Sequence, residues 1–273
     1  MIFPDYHLHT SFSSDCDTDI YKLIENAKEK NITSFCVTDH YDIDFPVLFS
    51  DPDMDFYLDT DKYFEYMSKV KKEVAPSFDL RIGVELGVMP SVTEKAAAYV
   101  KNHPELDFVI CSTHIVDGFD PYFPEYYEDK TDAQAYRRYF EEILQIVKNF
   151  HSFNVYGHID YIVRYGRKKD ESFSISDHSD ILKEIFKIIV SNGCGIEINT
   201  GSLYRGLSYP HPHSDILKLY KEAGGEIITV GSDTHDLVHV GHDFEAARAL
   251  LINNGFQYYC TFKNQQPEFI RIS

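Results

Sequence analysis

The sequence predicts an α/β domain built on a closed or nearly closed parallel barrel. Three observations predict it. Seven short β-rich apolar runs alternate with segments of helical period, and no break in composition divides the 273 residues. No GxGxxG follows any of these runs, which weakens the open, doubly wound sheet as the alternative. The length also falls in the usual range of (β/α) barrels, roughly 200 to 400 residues. Residues 1–273 are therefore read as one domain.

The first run, 5–9, leads into a helix over 20–30 that the Lys30–Asn31 pair ends. The second, 34–38, is followed by a loop over 41–60 and a helix over 61–74. This loop carries Asp42, Asp44, Asp51, Asp53, Asp55 and Asp59 but no Lys or Arg. It reads either as a solvated surface loop or as a lid that offers carboxylates to a cationic substrate. A strand over 80–85 precedes a helix over 92–102. The strand over 108–113 precedes a helix over 133–150. There Tyr136, Phe140, Ile143, Leu144 and Val147 recur at helical spacing and define a buried face. The strand over 155–158 precedes a helix over 177–191, stopped by Ser191-Asn192-Gly193. The last two units pair a strand over 195–199 with a helix over 215–223, and a strand over 227–231 with a helix over 244–254, stopped at Asn254-Gly255.

Charge and cysteine usage narrow the function classes. The formal charge of −18 repels a nucleic-acid backbone, and no Lys/Arg stripe with interleaved aromatics compensates for it. An anionic substrate then requires local positive charge, which bound cations supply. No run of 18 apolar residues predicts a membrane span, and the start MIFPDYHLHT lacks the pattern of a secretory leader. The five cysteines, Cys16, Cys36, Cys111, Cys194 and Cys260, are scattered with no CxxC pair, as expected of reduced thiols in a cytoplasmic protein.

Six strand ends carry imidazole or carboxylate, at the edge where such barrels build their sites. His7-Leu8-His9 puts two imidazoles on one face of a strand. Thr38-Asp39-His40 ends the second strand and Glu85 the third, where a buried carboxylate needs a partner. His114, His158 and the pair Asp233/His235 follow the fourth, fifth and seventh strands. Each motif alone is weak. Together they exceed what one tetrahedral ion can use and suit several zinc, iron or manganese ions, with Glu85 as a bridge.

This ordered set (HxH, TDH, a strand-end Glu, a strand-end His, GH and SDxH) resembles the signature of the polymerase-and-histidinol-phosphatase (PHP) superfamily. The resemblance spans His7 to His235. It implies a distorted (β/α)7 barrel and three divalent ions. Carried over by residue, His7, His9, Glu85 and Asp233 would hold the first ion. Glu85, His114 and His158 would hold the second, and Asp15, His40 and His235 the third. Length and spacing resemble most the histidinol-phosphatase branch, which is similar in placing phosphate-binding arginines where Arg164 and Arg205 stand here.

The chemistry expected from these residues is direct hydrolysis of a small phosphate monoester. A hydroxide bridging the metals attacks phosphorus in line, Arg164 and Arg205 take the phosphoryl oxygens, and Asp233, His235 or His211 protonates the leaving group. L-Histidinol phosphate, with a phosphate at one end and an ammonium at the other, is the expected substrate. The alternatives are another phosphate ester, such as a sugar phosphate or nucleotide, and a metal-binding domain without catalysis. The oligomeric state is not legible in the sequence.

Overall fold

The computed structural model describes residues 3–48, 51, 55–169 and 173–272. Its main sheet is built from β1 (Ser34–Val37), β2 (His40–Asp42), β3 (Asp79–Gly87), β4 (Phe108–Ser112), β5 (Val155–Tyr156), β6 (Gly195–Asn199) and β7 (Ile228–Gly231). All pairings are parallel, and the path runs β1-β3-β4-β5-β6-β7. Strands β1 and β2 pair with β3 in one continuous register, Val37 opposite Ile82 and His40 opposite Glu85. They are thus a single strand interrupted at Thr38-Asp39.

The two edges, β1 and β7, do not meet. Residues 5–9 lie between them and bond to both. On one side Cys36 N donates to Asp5 O and Thr38 N to Leu8 O; on the other, Tyr6 N donates to Val230 O and Asp233 N to His7 O. This segment forms isolated bridges with Phe35 and Thr234 rather than a regular strand. The result is the expected distorted (β/α)7 barrel, closed by its own irregular first segment. Buried Asp5 clamps that seam, accepting from Ser232 N (2.9 Å), Ser232 Oγ (2.5 Å) and Gly241 N (3.0 Å). Asp5→Ala strips an acceptor from all three, and is expected to lower the unfolding free energy by about 3 kcal/mol. Chemical denaturation checks this, and a loss under about 1 kcal/mol would contradict the clamp.

Around the barrel run α1 (Ile20–Glu29), α2 (Thr60–Val74), α3 (Thr93–Asn102), α4 (Asp132–Asn149), α5 (Ser179–Ser191), α6 (Gly201–Tyr204), α7 (Ser214–Glu222) and α8 (Phe244–Asn253). Their starts follow capping chemistry. Asp19 caps α1, Asp59 caps α2, and Thr131 with Gln134 forms a capping box on α4. Their ends fall at the sequence stops, with Asn31, Gly193 and Gly255 at positive φ. Each long helix buries one stripe; in α5 it is Ile181, Leu182, Ile185, Phe186 and Ile189.

A C-terminal hairpin, β8 (Tyr258–Lys263) and β9 (Gln266–Arg271), is an addition the sequence reading lacked. It closes the end of the barrel where the strands start. Phe262 packs against Phe108 (5.0 Å between ring centroids), exchanges hydrogen bonds with Tyr6 Oη, and shares an inner core with Cys36, Ile110 and Val155. That plug leaves the opposite rim as the open one. All five cysteines are unpaired and buried. Among the described residues no helix is long and apolar enough to cross a membrane.

Candidate active site

The inner face of the barrel changes character along the strands. On β4, Phe108 and Ile110 face the apolar inner core, and two residues on Ser112 Oγ donates to Glu85 Oε1 at 2.6 Å. Above this level the lining is imidazole and carboxylate. Glycines make room for it. A Cβ on Gly231 would sit 2.3 Å from His7 Cβ and 2.5 Å from Glu197 Oε1, and one on Gly157 would sit 2.6 Å from Ser112 Oγ.

Glu85 stands at the centre. Its Oε2 lies 3.0 Å from His7 Nε2, 3.5 Å from His9 Nε2 and 3.1 Å from His40 Nδ1. Its Oε1 lies 3.2 Å from His114 Nε2 and 3.0 Å from His158 Nε2. Five imidazoles from four segments thus converge on one fully buried carboxylate. Asp233 Oδ1 joins at 3.9 Å from His7 Nε2 and 3.6 Å from His9 Nε2. At the rim, His235 Nε2 is 3.2 Å from Asp15 Oδ2, and His40 Nε2 is 3.9 Å from the same oxygen.

Hydrogen bonding does not account for this packing. His7 Nε2, His9 Nε2, His40 Nδ1, His235 Nε2 and Glu85 Oε2 are buried, yet none makes a hydrogen bond despite these short separations. Buried polar atoms left this way are costly. Ligands about 2.1 Å from a shared tetrahedral ion stand about 3.4 Å from one another, which matches these spacings. Four overlapping donor groups lie close enough to hold an ion: His7, His9 and Glu85; Glu85, His114 and His158; His9, His40 and His235; and His40, Asp42 and His114. The set fits divalent metal ions. Burial alone would push the Glu85 carboxyl up, but His7, His40 and His114 hold it well below the ordinary range.

The far nitrogens of three of these imidazoles are fixed by Glu197, Ser13 and Asp42, of which the sequence marks only Asp42, as an acid of the 41–60 loop. Glu197 Oε1 holds His7 Nδ1 at 2.6 Å, Asp42 Oδ2 holds His114 Nδ1 at 2.7 Å, and Ser13 Oγ lies 3.0 Å from His9 Nδ1. Such partners set ring orientation and ligand basicity. Asp39, the middle residue of TDH, accepts from Thr10 and Ser13 and fixes the loop after His9. Glu197 had a visible signal, a charge flanked by Ile196 and Ile198 in a short buried strand. Asp233 adopts φ +54, a left-handed conformation that Asp tolerates better than most residues.

The rim opens into a cavity of about 560 Å3. One side carries Asp15, His40, His114, His158, Asp233 and His235, joined by Arg164 and Arg205. Arg205 forks onto Asp233, with Nη1 2.7 Å from Oδ2 and Nη2 3.0 Å from the backbone O. Arg164 is 5% exposed and is gripped between the rings of Tyr161 and Tyr165, at 4.6 and 4.8 Å. Its Nε and Nη1 are buried without a hydrogen-bond partner. A buried guanidinium in that state calls for an anionic guest.

Two expectations change. His211 is not among the residues lining the cavity: it is fully buried, its backbone bridges to Asn199 and its Nδ1 is 2.7 Å from Asp160, while its Nε2 is buried without a hydrogen-bond partner. The acidic loop does not present its carboxylates to the cavity as a set. Asp42 orients His114, Asp44 pairs with Lys95, Asp55 accepts from Tyr57 N and Asp59 caps α2. Asp51 alone of the described ones lines the cavity, and Asp53 lies outside the described residues.

A family model for the PHP domain matches residues 5–201. The chain is 31% identical over 263 residues to a histidinol-phosphatase of Lactococcus lactis, covering 96% of this chain and 95% of that one. It is also 31% identical over 256 residues to a probable histidinol-phosphatase of Clostridium acetobutylicum, covering 93% and 94%. Among solved structures, histidinol phosphate phosphatase of L. lactis, complexed with zinc, L-histidinol and phosphate, matches with a TM-score of 0.85 at 30% identity. That match covers 97% of this chain and 98% of the other.

Proposed function

The chain belongs to the PHP domain family, and from that premise we propose that it hydrolyses L-histidinol phosphate to L-histidinol and inorganic phosphate, using three divalent ions. The observation that carries this reading is the set of five imidazoles around the buried Glu85 carboxylate, open on one side to Arg164 and Arg205. Relatives at 31% identity over nearly the whole chain carry the histidinol-phosphatase name.

In this reading His7, His9, Glu85 and Asp233 hold one ion, Glu85, His114 and His158 a second, and Asp15, His40 and His235 a third. Zinc, present in the L. lactis structure, suits every site. Iron and manganese suit the same nitrogen and oxygen donors, and the Asp15 carboxylate favours the harder ion at the third site. Bound divalent ions supply Lewis acidity and an activated water at neutral pH. The protein's residues do the rest. Arg164, two of whose buried nitrogens make no hydrogen bond, and Arg205 clamp the phosphoryl oxygens and stabilise the charge that grows on them. Asp233 and His235, which line the cavity, are the candidates to protonate the departing alkoxide; His211, held by Asp160 through Nδ1 with Nε2 unpartnered, is the third. Glu85, which bridges two of the donor groups, keeps them in register. A cytoplasmic location accords with the buried, unpaired thiols.

Glu197→Gln keeps the shape but not the charge behind His7. Metal affinity is expected to fall by about 10- to 100-fold, read by competition with a chelator; unchanged affinity would remove Glu197 from the scheme. The substrate assignment is tested by phosphate release from L-histidinol phosphate, a sugar phosphate, a nucleotide and an aryl phosphate. L-Histidinol phosphate should lead in kcat/KM by about tenfold or more, the value of one well-placed charged contact. A sugar phosphate or nucleotide in the lead would replace it.

A further inference from the structure

Phosphate binding accounts for two arginines at the cavity, but not for what stands behind Arg205. Arg164 is gripped by two tyrosine rings, and Arg205 has a ring of its own. Its guanidinium carbon lies 4.8 Å from the ring centre of Tyr204, the residue before it. Both follow β6 through the single turn Gly201–Tyr204, where Gly201 leaves room for the arginine; a Cβ there would sit 2.6 Å from Arg205 Nη1. A ring face beside a guanidinium orients its plane as well as attracting its charge.

The Tyr204 hydroxyl does something separate. It donates to Asp233 O at 2.7 Å, with Ser232 O at 3.1 Å sharing the proton. Asp233 is a non-glycine residue at φ +54, and a conformation of that kind persists only where its surroundings hold it. From that turn its carboxylate reaches 3.6 Å from His9 Nε2 and 3.9 Å from His7 Nε2. His7 O holds the Asp233 N–H at 2.7 Å, while Tyr204 Oη and Arg205 Nη2 (3.0 Å) hold its carbonyl.

Tyr204 is braced in turn from outside. His239 stacks on its ring at 3.9 Å and 17°, and His242 meets it edge-on at 5.3 Å. His239 Nδ1 is 2.8 Å from Asp236 Oδ2, and Lys30 Nζ donates to Val238 O and Val240 O on either side of His239. Among the described residues these two imidazoles belong to none of the donor groups that could hold an ion. They back the tyrosine.

From this geometry we propose that Tyr204 is a positioning residue for hydrolysis with two separable duties. Its hydroxyl fixes the Asp233 main chain, and so the carboxylate offered to the first ion; its ring fixes the plane that Arg205 presents to the phosphate. This rests on the phosphoesterase reading above, but not on which ester is the substrate.

Tyr204→Phe removes only the hydroxyl, and Tyr204→Leu removes the ring as well. Both are assayed with saturating divalent metal on L-histidinol phosphate and an aryl phosphate, with inorganic phosphate as a competitive inhibitor and circular dichroism as the check on folding. Tyr204→Phe is expected to lose about tenfold in kcat, the worth of one hydrogen bond, and to keep KM and phosphate inhibition within about twofold of wild type. Tyr204→Leu should show the same fall in kcat and, in addition, weaken phosphate inhibition and raise KM for both esters by about fivefold to tenfold. Destabilisation alone gives no such split between the two variants. Wild-type kcat in Tyr204→Phe overturns the first duty, and wild-type phosphate inhibition in a folded Tyr204→Leu overturns the second. Should the metal-loaded wild type release phosphate from neither ester, the phosphoesterase reading fails, and the role of Tyr204 fails with it.

Discussion

Glu85→Ala is expected to abolish hydrolysis of L-histidinol phosphate, with kcat/KM reduced by about a thousandfold or more, and to purify with well under the wild-type content of divalent metal. The expectation follows from position. Both oxygens of Glu85 are in use, one toward His7, His9 and His40 and the other toward His114 and His158. Removing it leaves two donor groups short of a ligand and five imidazoles without the carboxylate they converge on. Elemental analysis beside kinetics separates the outcomes. A variant that kept full metal content and lost only activity would make Glu85 a catalytic group rather than a bridge. One that kept both would remove it from the site. Folding is checked independently by circular dichroism, since the barrel's inner core of Tyr6, Cys36, Phe108 and Ile110 is intact in this variant.

The second large effect is expected from Arg164→Ala, which should retain wild-type metal content and lose about a hundredfold or more in kcat/KM for any phosphate monoester. Arg164 is a cleaner probe than Arg205. Both forks of Arg205 bond to Asp233, so its removal also disturbs a metal-ligand candidate, whereas Arg164 Nη1 is 3.8 Å from Asp233 and makes no hydrogen bond there. Lysine should not rescue it. A point ammonium cannot reproduce the planar stack between Tyr161 and Tyr165 or the fork that meets two phosphate oxygens. Loss of activity equal for L-histidinol phosphate and an aryl phosphate is the signature of a phosphate contact. A loss confined to L-histidinol phosphate would reassign Arg164 to the rest of the substrate.

The alternation of strands and helices and the rim of candidate ligands were legible in the sequence because six of the seven apolar runs end in imidazole or carboxylate. That pattern places side chains without knowledge of the helices. The parts that were not legible depend on pairing. Asp42 reads as one more acid of a polar loop until β2 pairs with β3, which puts it opposite Gly87, where a Cβ would fall 2.1 Å from its carboxylate carbon. It then becomes the partner of His114 rather than a solvated charge. His211 reads as a loop residue at the active rim, and only its antiparallel bridge to Asn199 reveals that it is buried. The hairpin β8–β9 escaped because β9 is mostly exposed and contains Pro267. Its turn, Asn264-Gln265 at φ +48 and +59, also lacks the Asn-Gly signal that marks such turns.

One measurement reaches the central claim most directly: phosphate release from L-histidinol phosphate by the protein as purified, after removal of its metal with a chelator, and after reloading with zinc, iron or manganese. The account predicts activity that disappears with the metal, returns on reloading and saturates near three ions per chain. Undiminished turnover by metal-free protein would contradict it.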